Sequence, residues 1–538
     1  MGVKNFYLGF KTTFSNCITN ETDIETYDTL IIELNGLFYS ACRKLHHSED
    51  NLKLLKRNKL NLKLFEEISE QLDGIITKYN PSKNIYLVVD GTAAMMKNLE
   101  QRQRRYKNSL ENKYDNIFDL NSFSPGTKML NFLTKYIDWF IRYKMNTDEL
   151  YQKLNIYFSN EKVEGEGEYK ILRFIKKICE KDSNILIYTC DSDMILLSMI
   201  HYEYNIIIIR NSSLYGQEYV NIEKCRQRLL NNFYFSKAKS EEKVIKDLFI
   251  LFSLLGNDYI SSSPCIFNFN ILYFDILPLY KINEKHFLHD DGTLNVYELC
   301  NFFKLISSYE KKWLTNKYQE QYSYFPDPIY LQNMSPNNDF NFSEYKETYK
   351  KNNLLQKEDT ILYLLNIQNI VDMATTQDFN WYFFYPCYKS PFLSDFEYTK
   401  DIEFNFKELL EKNKTTNNVT RDCFFHLITI LPPQSKYLLP NSLQNIFIDL
   451  KDYYPSYIEI DLTGKYKIWE GVVKLPMINI DIFSNYYIRK KIHFTDEEHK
   501  RNIHGKTFFY TKTVTKNVFQ SFYGKIKNNI ITCEIIDI

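Results

Sequence analysis

Residues 85–107, IYLVVDGTAAMMKNLEQRQRRYK, run from an apolar strand through an acid at its end, Asp90, into a strongly basic helical stretch. A near-continuous apolar run is the signature of a strand buried on both faces, and a strand feeding a helix is the unit of a parallel α/β sheet. The same theme recurs outward from this segment. TLIIELNG, LNIYFSN, NILIYTCDSD and YNIIIIRN are further apolar runs, and helical patterns lie between them, such as GEYKILRFIKKICEK with Ile171, Phe174, Ile175 and Ile178 on one face. Over the first half of the chain this alternation predicts an α/β fold, a twisted and largely parallel sheet with helices on both faces.

The acids fall at equivalent places in that pattern. Glu33, Asp90, Glu166 with Glu168, and Asp191 with Asp193 lie at the ends of four runs or in the turns just after them. The carboxyl ends of parallel strands form one edge, where ligands bind. Asp258 follows the apolar helix VIKDLFILFSLL, whose end Gly256 suits a left-handed cap. A single acid of this kind is commonly only a turn or capping residue. Seven facing one cleft repel one another unless a cation sits among them, and a hard divalent ion such as Mg²⁺ prefers oxygen ligands.

The basic stretch supplies the complement. Lys97, Gln101, Arg104 and Arg105 follow i, i+4, i+7, i+8 spacing, with Met95, Leu99 and Tyr106 on roughly the opposite face. One reading is a solvated helix face. The other is a phosphate pocket, since arginine pairs bind phosphate bidentately, lysine binds it as a point charge, and Asp90 tethers the stripe to the acidic cleft.

Bulk properties bound the alternatives. The 538 residues, 44% hydrophobic, suffice for two to four domains or one large domain with insertions. Lys+Arg 67 balances Asp+Glu 67, so a polyanion site has to come from local clustering. Ten cysteines without a CxxC pair argue against a zinc ribbon or a disulfide framework and for a reducing compartment. The start, MGVKNFYLGF, lacks the apolar run of a signal peptide, and no stretch approaches a membrane span, so a cytoplasmic protein is expected. Residues 1–270 are read as the α/β core, 271–355 as a variable connector or insertion, and 356–538 as a second, aromatic-rich ordered region that packs against the core.

The motifs together resemble the XRN (Rat/Xrn-type) 5′→3′ exoribonucleases. The resemblance runs in family order through MGVKNF, ELNGLFY, DGTAAMMKNLEQRQRRY, FSPGT, EGEGEYK, DSDMILL and LLGNDYI, and resumes with FFYPCYKSPFLSDF, LPPQSKYLLP, YYPSYIEIDLTGK, WEGVVKLP and FTDEEHKRNIHGKTFFY. Flap endonucleases share an acidic cleft but lack the second set and the K-x3-Q-x2-R-R stripe. The resemblance implies that Glu33, Asp90, Glu166, Glu168, Asp191, Asp193 and Asp258 bind two Mg²⁺ ions, with Mn²⁺ able to substitute. It implies that Lys97, Gln101, Arg104 and Arg105 bind a 5′-monophosphate, and that Tyr39 and Trp381 stand where the family stacks the first base. The expected activity is processive 5′→3′ degradation of single-stranded RNA to nucleoside monophosphates, in mRNA decay, by a monomer without membrane attachment; decapping factors as partners are not readable from the residues.

The sequence also departs from the family pattern. Glu33 replaces the usual Asp, Tyr39 a His, Ala94 and Met95 a Pro and an Arg, and Tyr169 a His. The stretch between Arg105 and FSPGT is shorter than the family's helical excursion, and the long C-terminal extension of cytoplasmic members is absent, which implies a compact member. A structure-specific 5′ DNA nuclease and a catalytically impaired RNA-binding homologue are the alternative readings, the second permitted by Glu33.

Overall fold

The computed structural model describes residues 6–21, 26–48, 56–111, 118–212, 216–233, 240–283, 285–319, 325–335, 339–412, 418–465, 468–512, 517–528 and 531–538. Most of MGVKNF, and part of the stretch between Arg105 and FSPGT, lie outside the described residues.

The five apolar runs form five neighbouring parallel strands: β2 (Thr29–Glu33), β3 (Asn84–Val88), β4 (Asn155–Ser159), β5 (Asn184–Tyr188) and β6 (Asn205–Ser212). With β1 (Ile18–Thr19), β7 (Gly216–Asn221), β8 (Glu459–Asp461), β9 (Val472–Lys474), β10 (Thr507–Lys512), β11 (Asn517–Ser521), β12 (Gly524–Asn528) and β13 (Ile531–Ile536), the described strands number thirteen. Nine make one sheet in the order β1-β7-β6-β5-β2-β3-β4-β10-β13. Its centre is parallel, and β1, β7, β10 and β13 flank it antiparallel.

Period-two alternation explains why the runs are apolar throughout. Ile31, Tyr86, Val88, Ile185, Ile187, Ile206 and Ile208 point into one core, whereas Leu30, Ile32, Ile85, Leu87, Leu186, Ile207 and Ile209 point into another on the opposite face. The Gly167–Ile178 helix covers the first, with Phe174 stacked on Tyr86 at 4.1 Å. The Arg57–Tyr79 and Lys128–Thr147 helices cover the second. Because Glu33 is in register with Val88, and Val88 with Ser159, the strands end level, and the acids that follow them share one edge.

The C-terminal region does more than pack against this core. β10 pairs with β4, Phe508 opposite Phe158, and β13 pairs with β10, so two C-terminal strands extend the N-terminal sheet. Residues 271–355 are largely helical, including Val296–Ser307, Glu310–Gln319 and Phe342–Asn352, and their Phe302, Phe303, Trp313 and Tyr345 enter the same core as the sheet.

The basic segment is a short 3₁₀ turn, Met95–Lys97, continued by the Asn98–Glu111 helix. No residue from Met95 to Ser109 is exposed, which removes the reading of a solvated helix face. The helix lies between the N-terminal core and the C-terminal region. Asn98 donates to Thr429 at 2.6 Å, Lys107 donates to the Gly471 carbonyl, the fully buried Arg102 donates to the carbonyls of Tyr453 and Pro476, and Tyr106 packs on Val473 and Leu475.

Glu310 joins the central helices to the PFLSD motif. It is fully buried and accepts from the N–H groups of Leu393 at 2.7 Å and Ser394 at 3.3 Å, and burial pushes its carboxyl up to about 7 against these hydrogen bonds and Lys346. A carboxyl raised in the folded state holds its proton longer than in the unfolded chain, so stability falls as pH rises from the ordinary value of 4.5 through about 7 and then levels. Glu310→Gln removes this titration. In denaturant melts at pH 5 and pH 8 the variant should lose less stability across the interval than the parent, by roughly 2–4 kcal/mol. Equal losses would contradict the assignment.

Candidate active site

The backbone at the sheet edge is built for close approach. Gly165 has φ +97 and a Cβ there would lie 2.3 Å from the Tyr169 ring, so only glycine fits. The amides of Gly91 and Gly165 donate to the carbonyls of Gly165 and Thr92, both at 2.8 Å, which clasps the DGT turn to the GEGE turn. Gly167 N–H donates to Asp90 Oδ1 at 2.8 Å, the Asp90 amide donates to Asn35 Oδ1 at 2.9 Å, and a Cβ on Gly167 would stand 3.1 Å from Glu33 Cγ. Glu166 and Glu168 are thereby brought beside Asp90 and Glu33.

The Lys97 ammonium stands among the carboxylates. Its Nζ lies 3.0 Å from Glu166, 3.3 Å from Asp258 and 3.9 Å from Glu168, and 5.1 Å from the Tyr259 ring centre. Burial would lower its pKa, but Glu166, Tyr259, Glu168 and Asp258 hold it well above the usual lysine value. Burial raises Glu168 well above the carboxylate range, with Asp191, Glu166 and Glu33 adding and Lys97 opposing. Asp258, against its burial, is held down by Lys97 and Arg104. Asp191 lies at about 2 despite its burial, with Lys97 and Arg104 among the cations that lower it. Asp193, buried, opens the Asp193–Met199 helix two residues later.

Glu33 is 7% exposed, and burial together with Asp191 and Asp90 pushes it up to about 8. Its extra methylene reaches across to the next strand end, where Thr189 Oγ1 donates to Oε2 and itself accepts from the Asp191 amide at 3.0 Å. The longer acid is thus tied back to the neighbouring turn.

The other stripe residues continue from Lys97. The Gln101 amide donates to Glu166 at 2.8 Å and accepts at 2.8 Å from Nε2 of His426, a buried imidazole whose pKa falls to about 3 through burial and the nearby Arg105. A neutral His426 donating through Nε2 fixes which way the Gln101 amide faces. Arg105 is buried and donates to Ser124 Oγ at 3.2 Å, while the Arg104 side chain is 27% exposed and 3.8 Å from Glu100. Burial and Arg104 lower Arg105 to about 10. Tyr39 is half-buried, edge-on to Phe123 at 6.2 Å, and within electrostatic range of both arginines.

Trp381 lies in a different group. It stacks on Phe379 at 5.3 Å, meets Tyr169 edge-on at 5.9 Å and lies under the Arg421 guanidinium at 5.2 Å, and Arg421 also pairs with Glu164 at 3.1 Å. No ring contact joins it to Tyr39 among the described residues. Its carbonyl accepts from the Met95 amide at 2.9 Å, which ties this group to the start of the basic turn.

Several contributors carry no charge pattern of their own. Tyr259 donates to Glu166 at 3.0 Å and Thr189 to Glu33, both from inside motifs already singled out for a neighbouring acid. Lys170 donates to the carbonyls of Val89 at 2.7 Å and Asn160 at 2.9 Å, bracing the ends of β3 and β4. His426 comes from the second region with no local signal.

The donor set suits a hard cation. All seven acids offer oxygen, and burial raises three of them, Glu33, Glu166 and Glu168, above the ordinary carboxylate value, so that a divalent ion would displace their protons. Among the described residues no three His, Cys, Asp or Glu side chains are already gathered to hold a metal ion. Three of the acids surround Lys97 instead.

Two family models match the chain. One, described as the XRN 5′-3′ exonuclease N-terminus, matches residues 1–212, and the other, described as the Xrn1 helical domain, matches residues 375–536. The human 5′-3′ exoribonuclease 1 is 24% identical over 94% of this chain and 35% of its own length. The Schizosaccharomyces pombe 5′-3′ exoribonuclease 1 is 20% identical over 93% and 49%, and the Arabidopsis thaliana 5′-3′ exoribonuclease 2 is 20% identical over 88% and 64%. The chain thus spans about a third to two thirds of the length of these relatives.

Lys97→Met leaves the carboxylates without their central ammonium. Removing one partner of a buried ion pair costs about 3–5 kcal/mol, so the variant should melt well below the parent in EDTA. Saturating Mn²⁺ should recover most of the difference by supplying the missing charge. Calorimetry of both proteins with and without Mn²⁺ checks this; equal melting in EDTA, or a deficit that Mn²⁺ leaves unchanged, contradicts it.

Proposed function

Because the chain belongs to the XRN 5′→3′ exonuclease family, we propose that it is a 5′→3′ exoribonuclease that degrades single-stranded RNA bearing a 5′-monophosphate to nucleoside monophosphates. The observation that carries this reading is the continuity of acids and cations in one site, with Lys97 paired to Glu166, Glu168 and Asp258 and Arg104 and Arg105 about two helical turns beyond. Glu33, Asp90, Glu166, Glu168, Asp191, Asp193 and Asp258 would hold two Mg²⁺ ions, with Mn²⁺ able to substitute, and those ions would supply the Lewis acidity for phosphodiester hydrolysis.

The chain's own residues place the substrate. Arg104, the more exposed of the two arginines, takes the terminal phosphate, and Arg105, oriented by Ser124, backs it with a second cation. Gln101, held by His426, presents its amide N–H toward Glu166 and fixes the boundary between the phosphate pocket and the acids. Tyr39 offers a half-exposed ring beside the arginines for the first base, and Trp381 with Arg421 forms a second aromatic and cationic surface. Lys97, Gln101 and Arg105 are buried, and a chain end would reach such groups where a continuous strand would need an opening through the helix. Directionality follows from that.

The clasp of Glu33 by Thr189 supports an active enzyme over an impaired homologue, since the longer acid stays among the others. No helix of the described residues is long and apolar enough to cross a membrane. A role in cytoplasmic mRNA decay follows from the substrate, because decapping generates the 5′-monophosphate ends that this pocket would accept.

The test compares matched 5′-monophosphate RNA, 5′-hydroxyl RNA and a DNA flap in Mg²⁺. The parent should degrade the monophosphate RNA fastest, and Asp191→Asn with Asp193→Asn should remove cleavage of all substrates. Arg104→Ala with Arg105→Ala should bring the monophosphate rate near the hydroxyl rate, a loss of more than about tenfold, since charge-assisted phosphate contacts are each worth ~1.5–3 kcal/mol. A parent ratio near one, preference for the flap, or a ratio unchanged by the double substitution would overturn the proposal.

A further inference from the structure

A cavity of about 300 Å³ lies behind the loop that carries Asp258, and it belongs to none of the groups described above. Its walls come from that loop's far end at Ser262–Pro264, from Phe267, from Lys317 on the Glu310–Gln319 helix, from Tyr349 on the Phe342–Asn352 helix, and from Lys389 and the Asp461–Lys465 turn.

Two polar groups in this cavity lack the partners that buried polar groups normally have. Ser263 is 3% exposed, and its hydroxyl oxygen has no hydrogen-bond partner among the described residues. Lys317 is half-buried and has no carboxylate within ion-pair distance among the described residues; its ammonium rests on the faces of Phe267 at 5.1 Å and Tyr318 at 5.2 Å. The carboxylates nearby are committed. Asp327 accepts from the Tyr318 hydroxyl at 2.7 Å, the Tyr345 hydroxyl at 2.9 Å and the Ile329 amide at 2.9 Å, and Asp461 pairs with Lys389 at 3.3 Å and accepts from the Thr463 amide at 2.9 Å. Lys474 is paired with Glu459 at 2.8 Å, and Lys465 and Glu470, opposite in sign, line the rest.

The space is held open by backbone geometry. Gly464 has φ +65, and a Cβ there would stand 3.1 Å from Lys317 Nζ, so a side chain at this position would press on the ammonium.

We propose that this cavity binds a nucleoside 5′-monophosphate, its phosphate on Lys317, Lys389 and Ser263 and its nucleoside against Phe267 and Tyr349. A phosphate supplies the anion that Lys317 lacks and acceptors for an orphaned hydroxyl donor, with Lys389, shared with Asp461 at 3.3 Å, as the second cation beside it. The volume, at the lower end for organic ligands, holds more than a bare phosphate needs, and the aromatic wall suits a planar base. Burial and Lys389 lower Lys317 to about 8, the strain that a bound anion relieves. The cavity shares its loop with Asp258 and Tyr259, so its occupancy braces one side of the acidic cluster. The assignment stands whether or not that cluster cleaves RNA.

The experiment titrates AMP, UMP and inorganic phosphate calorimetrically into the Arg104→Ala, Arg105→Ala protein, which removes the competing phosphate pocket, and into the same protein carrying Lys317→Met, Lys317→Arg or Ser263→Ala. The nucleotides should bind at one site at least about tenfold tighter than inorganic phosphate. Lys317→Met should weaken them about tenfold or more, Ser263→Ala several-fold, and Lys317→Arg, which keeps the cation, by less than about threefold. Absent binding, binding unchanged by Lys317→Met, or inorganic phosphate as tight as AMP would overturn the proposal. If Lys317→Met does not fold, acetylation of Lys317 in the unsubstituted protein, read by peptide mass spectrometry, decides instead. Saturating AMP should slow it at least about fivefold, and an unchanged rate would overturn the site.

Discussion

One buried ammonium sets the terms for the rest of this molecule. Lys97 Nζ lies within 4 Å of Glu166, Glu168 and Asp258, three carboxylates contributed by two different segments of the chain. Like charges so close raise one another's pKa, and the cluster shows it in Glu33 at about 8 and in Glu168 well above the carboxylate range. A lysine in that position offsets part of the repulsion. It also fixes where the next two turns of its helix carry Arg104 and Arg105, so the same side chain that neutralises the acids sets the spacing between them and the phosphate pocket.

That placement requires a helix largely enclosed by its neighbours. The polar side chains on such a helix need partners, and among the described residues several of these come from more than 300 positions away. Thr429 takes Asn98, His426 takes Gln101, the carbonyls of Tyr453 and Pro476 take Arg102, and Gly471 takes Lys107. The second region is therefore the other wall of the candidate site. Its strand β10, paired with β4, fixes this wall to the same sheet whose edge carries the acids. An N-terminal core on its own would expose Arg102 and leave the Gln101 amide free to turn.

The sequence carried the parts of this arrangement that depend on local pattern. Apolar runs marked all five parallel strands because each strand feeds two cores, and the acids were legible because level strand ends put them at one edge. Long-range partners were not. Nothing around His426 distinguishes it from a core histidine, and Thr189 and Tyr259 acquire roles only from the acids that the fold sets beside them. The stripe on Asn98–Glu111 had the composition of a solvated face, since the residues that bury it lie far along the chain. The resemblance alone points to Trp381, and the fold sets it with Phe379, Tyr169 and Arg421, with no ring contact to Tyr39 among the described residues.

We propose that the cationic stripe beside the acids admits a chain end and nothing else. A linear 5′-monophosphate RNA and a covalent circle of the same sequence, distinguishable by label, can be mixed in one reaction with Mg²⁺ and followed by gel. The linear strand should disappear into nucleoside monophosphates while the circle persists intact through many turnovers. Cleavage of the circle at a comparable rate would mean that the acids act on internal linkages, and the buried stripe would then have no part in choosing the substrate.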